Sequence, residues 1–229
     1  MESGMSSSRL EHTLDKMRRD WDERARENAR FYVNTEKTDW NDDDFFASGR
    51  RTISEEILTD MINICRGKEP SQMRVLEIGC GAGRVTRALA EMFGEVHAVD
   101  VSGEMVAQAQ AFLAGFPNAH VYQNSGMDLS VVPVGDFDFA FSIVVFQHVP
   151  SKEIVENYVR EVNRLLRPGA LFKFQVQGDV RIETDPEDTW LGVPFSEEDA
   201  RAMAERCGFE PRYMHGAGGQ YFWLWFFKK

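Results

Sequence analysis

Leu10, Leu14, Met17, Trp21 and Ala25 recur at steps of three and four residues, with charged side chains between them. That period is the period of an amphipathic helix, expected over about residues 8–30. Residues 31–50 lose it. They are aromatic and acidic (Phe31, Tyr32, Trp40, Asp42, Asp43, Asp44, Phe45, Phe46) and read as a loop or short turns laid over the main domain, with Asp42–Asp44 as a solvated turn. Thr52 and Glu55 have capping-box spacing and predict a helix carrying Ile53, Ile57, Leu58, Met61 and Ile62, ending near Gly67.

From there short apolar runs alternate with helical periods. Strands are predicted at 74–78, 95–99, 119–123, 137–142 and 171–177. Helices are predicted at 84–93, behind Ser102 to about Leu113, and behind Ser151 through Ile154, Tyr158, Val162 and Leu165 to the Pro168-Gly169 stop. Residues 178–195 form an insertion rich in Asp, Glu, Pro and Gly, with Trp190 at its centre. Ser196 and Asp199 open a last helix closed by Gly208. Residues 210–215 and 220–228 then pair as a hairpin through Gly216, Gly218 and Gly219. Short strands without polar alternation are buried on both faces. The class expected is α/β: a three-layer αβα sandwich with a mostly parallel sheet, a C-terminal antiparallel hairpin and an N-terminal helical lid. Two units follow, a helix and lid segment at 1–50 and a main domain at 51–229, with the insertion at 178–195.

The 229 residues suit one large α/β domain or a domain with an appendage. With 37 acidic and 26 basic residues the formal charge is −11, which repels a polyanion and argues against a nucleic-acid partner. Cys65, Cys80 and Cys207 have neither a disulfide framework nor a zinc spacing, so a reducing, cytoplasmic setting and no metal are expected. The longest apolar run, Tyr221 to Phe227, is strand-sized, and no leader sequence or membrane partner is expected. The opening Met-Glu-Ser-Gly, either an appended remnant or an unstructured tail, is set aside from the fold reading.

The chemistry concentrates in Val75-Leu76-Glu77-Ile78-Gly79-Cys80-Gly81-Ala82-Gly83-Arg84. A buried strand ends in an acid and three alternating glycines, and a helix begins at once. Glycine permits a sharp turn and close approach of a ligand, and the helix start offers free N–H groups. The dinucleotide fingerprint requires a glycine at its sixth position, where Arg84 or Thr86 stands instead. Without Gly-Lys-Ser/Thr there is no P-loop. Glu77 would repel a pyrophosphate but suits an ammonium or sulfonium ligand. Cys80 is read as a packing residue.

Further motifs follow in order: Asp100 at the end of the second strand, Ser125-Gly126-Met127-Asp128-Leu129 after the third, Phe137-Asp138 and Ser142-Ile143 around the fourth, and Leu165-Leu166-Arg167-Pro168-Gly169 before the fifth. In this arrangement the chain resembles class I S-adenosylmethionine-dependent methyltransferases, near their small-molecule branch, over roughly residues 70–229. The resemblance implies a Rossmann-like fold, S-adenosylmethionine as cofactor and S-adenosylhomocysteine as product. It places Glu77, Gly79, Gly81 and Gly83 around the cofactor, Asp100 and Val101 at the ribose, and Ser142 and Ile143 at the methionine part. Ser125, Gly126 and Met127 fall at the adenine, with Ser125 where family members commonly carry an acid. The implied reaction is in-line methyl transfer to oxygen or nitrogen of a small-molecule acceptor, without metal.

His148, in Phe146-Gln147-His148-Val149-Pro150, follows the fourth strand at the ligand-bearing edge. General base, positioning residue and structural residue all remain open for it. Tyr32 and Trp40 either close over the ligand or cover an apolar patch. Trp190 and Gln177 are acceptor-pocket candidates, with His215 and Tyr221 behind them. No Asn/Asp-Pro-Pro-aromatic motif and no Pro-Cys follow the fourth strand, which again argues against a nucleic-acid substrate. An inactive scaffold subunit and a protein methyltransferase are the competing readings. The oligomeric state stays open, a homodimer included.

Overall fold

Val75 to Ile78 and all of Phe137–Ser142 are buried, as strands covered on both faces must be. The computed structural model describes residues 7–185 and 187–229, so the opening Met-Glu-Ser-Gly lies outside the described residues. The sheet has seven strands: β1 (Arg74–Ile78), β2 (Glu95–Asp100), β3 (Ala119–Gln123), β4 (Phe137–Ser142), β5 (Leu166–Val176), β6 (Phe209–His215) and β7 (Phe222–Lys228). Their order is β3-β2-β1-β4-β5-β7-β6. The first five are parallel, and β7 runs antiparallel between β5 and β6. The order reverses between β1 and β4, which opens a crevice at the carboxyl ends of the strands.

Helices cover both faces: α1 (Ser7–Val33), α2 (Asp42–Thr52), α3 (Met61–Cys65), α4 (Arg84–Ala90), α5 (Gly103–Phe112), α6 (Lys152–Leu165) and α7 (Glu197–Arg206). One core joins Leu76, Phe172 and Phe174 to Val155 and Val159 of α6 and Met203 of α7. The other joins Val75, Phe139 and Phe141 to Ile57, Ile64 and Leu89. Successive strand residues thus feed opposite cores. Among the described residues no helix is long and apolar enough to cross a membrane.

Over residues 31–65 the sequence expectation holds only in part: a helical run buries Ile53 and Ile57 and ends at Cys65 as expected, but its start and the segment before it differ. Of residues 31–50 only 34–41 are loop and turns: α1 runs on to Val33 and α2 occupies 42–52. Asn41 caps α2 by accepting from the Asp44 N–H at 2.8 Å, and Asp42–Asp44 fill its first turn, where acids suit the helix dipole. Phe45 and Phe46 are buried against Ala82, Met105 and Phe112. Thr52 caps nothing. Its hydroxyl donates to the Ser48 carbonyl inside a helical run that passes through a π turn, Ile53–Ile57, toward α3. Leu58 and Ile62, expected inside, are exposed. The division drawn at residue 50 falls within α2. Ser151 stands at the start of α6 without a capping side-chain bond, while Ser102 and the Ser196/Asp199 capping box form as expected. β5 starts five residues early, directly after α6.

Candidate active site

Gly79, Gly81 and Gly83 take φ of +74°, +52° and +84°, the left-handed region that glycine alone enters cheaply. A Cβ on Gly79 would lie 2.3 Å from Val145 Cγ2, and one on Gly81 2.5 Å from Val33 Cγ2. The main-chain N–H groups of Gly79 and Cys80 both donate to the Val99 carbonyl, which ties the turn to β2. Asp100, the last residue of β2, completes the tie: its Oδ2 accepts from Gly81 N at 2.8 Å and its Oδ1 from Ser102 N at 2.9 Å. An ionised carboxylate has about four acceptor sites, so two remain. Burial pushes the Asp100 pKa up to about 6. Glu77 is wholly buried and pushed to about 7 for the same reason, and its Oε2 has no partner. Burial also holds the Cys80 thiol well above its ordinary value, which leaves it inert.

These groups border a cavity of about 850 Å³, mouth included, together with Val101, Ile143 and Val144. α1 roofs it with Met17 and Trp21. Asp22 accepts from the Ser102 hydroxyl (2.6 Å) and Glu104 N (3.2 Å), which fastens the helix to α5. Arg24 bonds Thr189 Oγ1 at 3.0 Å and lies over the rings of Trp21 and Trp190, which fastens it to the insertion. Asn28 breaks the helix, at φ −165° and ψ 81°, and its side chain accepts from Phe31 N to restart it. The last turn then delivers Tyr32 and Val33 to the cavity.

A second cavity, of about 1240 Å³ with its mouth, adjoins the first. Tyr32, Val33, Arg84, Ile143, Val144 and His148 border both. Val144 holds φ +56°, a strained value for a β-branched residue that costs about 1–3 kcal/mol. Such strain collects at functional sites. Beside this cavity lies the π turn, another feature frequent there. His148 donates from Nδ1 to the Trp190 carbonyl at 2.5 Å and packs between Trp21 and Trp190, at centroid distances of 5.3 and 4.9 Å. Burial pushes its pKa down to about 4, so the ring is neutral near pH 7. Tyr32 meets Trp190 edge-on at 5.8 Å.

The structure therefore gathers Glu77, Gly79, Gly81, Asp100, Val101, Ile143, Tyr32 and His148 at the first cavity. Gln177, Trp190 and Tyr221 join the second. Other expected site residues border neither. Gly83 is the N-terminal cap of α4. Ser142 donates to the Ile78 carbonyl between strands. Ser125 bonds Asp128 and shapes the loop that carries Gly126 and Met127. Trp40 is buried against Phe45, with its indole N–H on the Asn34 carbonyl. His215 lies on β6. Sequence reasoning missed Arg84, Asn124, Gln147, Gln175 and Tyr158. Arg84 is buried, bonds the Ser48 carbonyl and Thr52 Oγ1, and clamps α2 to the glycine turn. The only signal for Gln175 was its parity with Gln177.

The fold also gathers Glu95, His97 and His120, three groups with metal-ligand chemistry that sequence spacing did not reveal. Arg74 already holds Glu95 at 2.8 Å, and its guanidinium lies 3.4 Å from His97 Nε2. The cluster is on β2 and β3, away from both cavities.

Residues 75–169 match the family described as a methyltransferase domain. Over 103 residues the chain is 31% identical to a ubiquinone biosynthesis O-methyltransferase of Xanthomonas axonopodis pv. citri, covering 44% of this chain and 41% of that protein. It is 33% identical over 103 residues to a malonyl-[acyl-carrier protein] O-methyltransferase of Enterobacter lignolyticus, covering 44% and 38%. The matches thus span about two fifths of those relatives' length. Magnesium protoporphyrin IX methyltransferase from Synechocystis PCC 6803, solved with bound SAM, superposes over 100% of both chains with a TM-score of 0.66 at 16% identity. Sheet order, glycine turn and matched segment agree: residues 75–169 match a methyltransferase-domain family, and the chain has the fold of class I S-adenosylmethionine-dependent methyltransferases.

Proposed function

We propose that the first cavity binds S-adenosylmethionine and the second a small-molecule acceptor, with the methyl passing where the two meet. The single observation that carries this reading is the wall shared by the cavities, made of Tyr32, Ile143, Val144 and His148 among others. Bound there, the cofactor would supply a methyl made electrophilic by its sulfonium, which calls for no metal. The chain's residues fit it. Glu77 Oε2, buried and unpartnered, suits an ammonium group. The two open acceptor sites of Asp100 suit ribose hydroxyls. Met17 and Trp21 exclude water from the roof. Tyr32, His148 and Trp190 orient the acceptor, and orientation of this kind supplies several kcal/mol (roughly 7–11 at its limit). Both curated relatives are O-methyltransferases, which favours oxygen as the receiving atom.

Calorimetric titration with S-adenosylhomocysteine tests the reading. The parent protein should bind it at micromolar concentration, and Gly81→Arg and Asp100→Ala should lose most of that affinity. A parent that does not bind, or variants that bind as tightly as the parent, would end the proposal.

A further inference from the structure

We infer that the acceptor is a polar molecule whose oxo group, a carboxylate or a carbonyl, is held by the side-chain amides of Gln175 and Gln177. The inference rests on the second cavity being the acceptor site.

Gln175 is the last residue but one of β5 and Gln177 the first beyond it, where the chain bridges Pro194, so the two stand two residues apart on extended backbone and share a face. They are only 5% and 3% exposed, and both line the second cavity. Gln175 Oε1 accepts from Val144 N at 2.9 Å, and Gln177 Oε1 accepts from Asp179 N at 3.0 Å. A main-chain N–H only donates, so the orientation of each amide is set: its oxygen is engaged and its NH2 is left over. Neither NH2 has a hydrogen-bond partner among the described residues. The two NH2 groups face the open space of the cavity, and an occupant that displaces water from one of them without replacing its hydrogen bond costs about 1–3 kcal/mol. An occupant with oxygen acceptors replaces those hydrogen bonds at both amides, whereas an alkyl or prenyl chain would impose the cost.

Gln147 supplies the opposite polarity on the same cavity. It is 4% exposed, its Nε2 lies 3.4 Å from His148 Nε2, and its buried Oε1 has no hydrogen-bond partner among the described residues. Because His148 Nδ1 is the donor to Trp190, His148 Nε2 is an acceptor. The cavity therefore offers two amide donors for an oxo group, and one unpaired carbonyl for a hydroxyl or amino hydrogen. Gln175 also braces the boundary between the cavities, because its bond to Val144 N holds the strained residue there.

The test uses the full chain, checked first for S-adenosylhomocysteine binding. Tritiated S-adenosylmethionine is incubated with cell metabolite extract already separated into apolar, neutral polar and anionic fractions. Tritium should enter a polar fraction, the anionic one identifying a carboxylate and the neutral one a carbonyl. Gln175→Glu and Gln177→Glu keep the oxygens that Val144 and Asp179 need and replace only the NH2 donors. Each should raise KM for the labelled fraction at least about tenfold while leaving S-adenosylhomocysteine affinity unchanged. Tritium confined to the apolar fraction, or an unaltered KM in both variants, overturns the inference alone. Failure to bind S-adenosylhomocysteine overturns the cofactor reading beneath it. Binding without transfer to any fraction overturns the acceptor reading and this inference together.

Discussion

The imidazole of His148 donates its Nδ1–H to the carbonyl of Trp190, so the residue after β4 is fixed by the insertion after β5. That bond sets the tautomer, and burial keeps the ring neutral with a pKa of about 4. A base so weak takes a proton poorly, and we expect His148 to act as a positioning residue. His148→Asn should lower kcat by about tenfold or less, against roughly a hundredfold or more for loss of a general base. The pH–rate profile should keep its shape. The stability sign also follows: between the unfolded pKa of about 6.5 and the folded value near 4, only the unfolded chain takes the proton. Stability from this residue is therefore lost as pH falls through that window. Denaturant melts of parent and variant at several pH values measure it.

Glu77 has the opposite sign. Its folded pKa is raised to about 7, so the free protein holds a proton there that the unfolded chain releases near pH 4.5. Its contribution to stability falls as pH rises through that interval. A cationic ligand beside Oε2 requires the ionised form. S-adenosylhomocysteine affinity should therefore weaken as pH drops below about 7, approaching tenfold per unit, with a proton released on binding. Calorimetry in two buffers of different ionisation enthalpy counts that proton. Glu77→Gln should bind more weakly and show a flatter dependence.

Asp100 and Gly81 share a hydrogen bond of 2.8 Å that closes the turn. Asp100→Ala frees two main-chain donors, Gly81 N and Ser102 N, and should destabilise the fold by about 1–3 kcal/mol. Gly81→Ala places a methyl against Val33 at a left-handed φ. Its melting temperature should fall, and the end of α1 should move. Thermal melts read the first two effects, and amide exchange over residues 30–34 reads the third.

Asp22 is a fastener of the roof, joining α1 to the start of α5 through Ser102 and Glu104. Asp22→Ala should speed amide exchange along α1 severalfold and weaken S-adenosylhomocysteine binding by a similar factor. The strands should exchange as before. If exchange along α1 does not change, the helix is held by packing rather than by this contact.

Strand–helix alternation was readable because β1, β2 and β4 are short and apolar while α5, α6 and α7 begin at Ser or Gly signals. The glycine turn and Asp100 were readable because their chemistry is local. Helix α2 was not: its buried phenylalanines and three acids lack a long period, and its cap lies in one asparagine. For Trp40 the sequence left a lid and an apolar cover both open, because aromatic character does not say which side will be covered; the structure takes the second. Gln147 and Gln175 stayed hidden for a different reason. Their significance lies in which oxygen or nitrogen is already engaged, and Val144 is 31 positions from Gln175.

β7 lies between β5 and β6, so the ribosome must finish residues 222–228 before the outer margin of β5 is paired. Until then the nascent chain presents an open row of amides beside Phe172 and Phe174, an invitation to sticking. A strand synthesised after both of its neighbours is thus an interior plank of the sheet, and β6 waits on it too. Stalled nascent chains ending at residue 216 should be cut rapidly by protease and retained by chaperones. Chains that extend through residue 229 should resist.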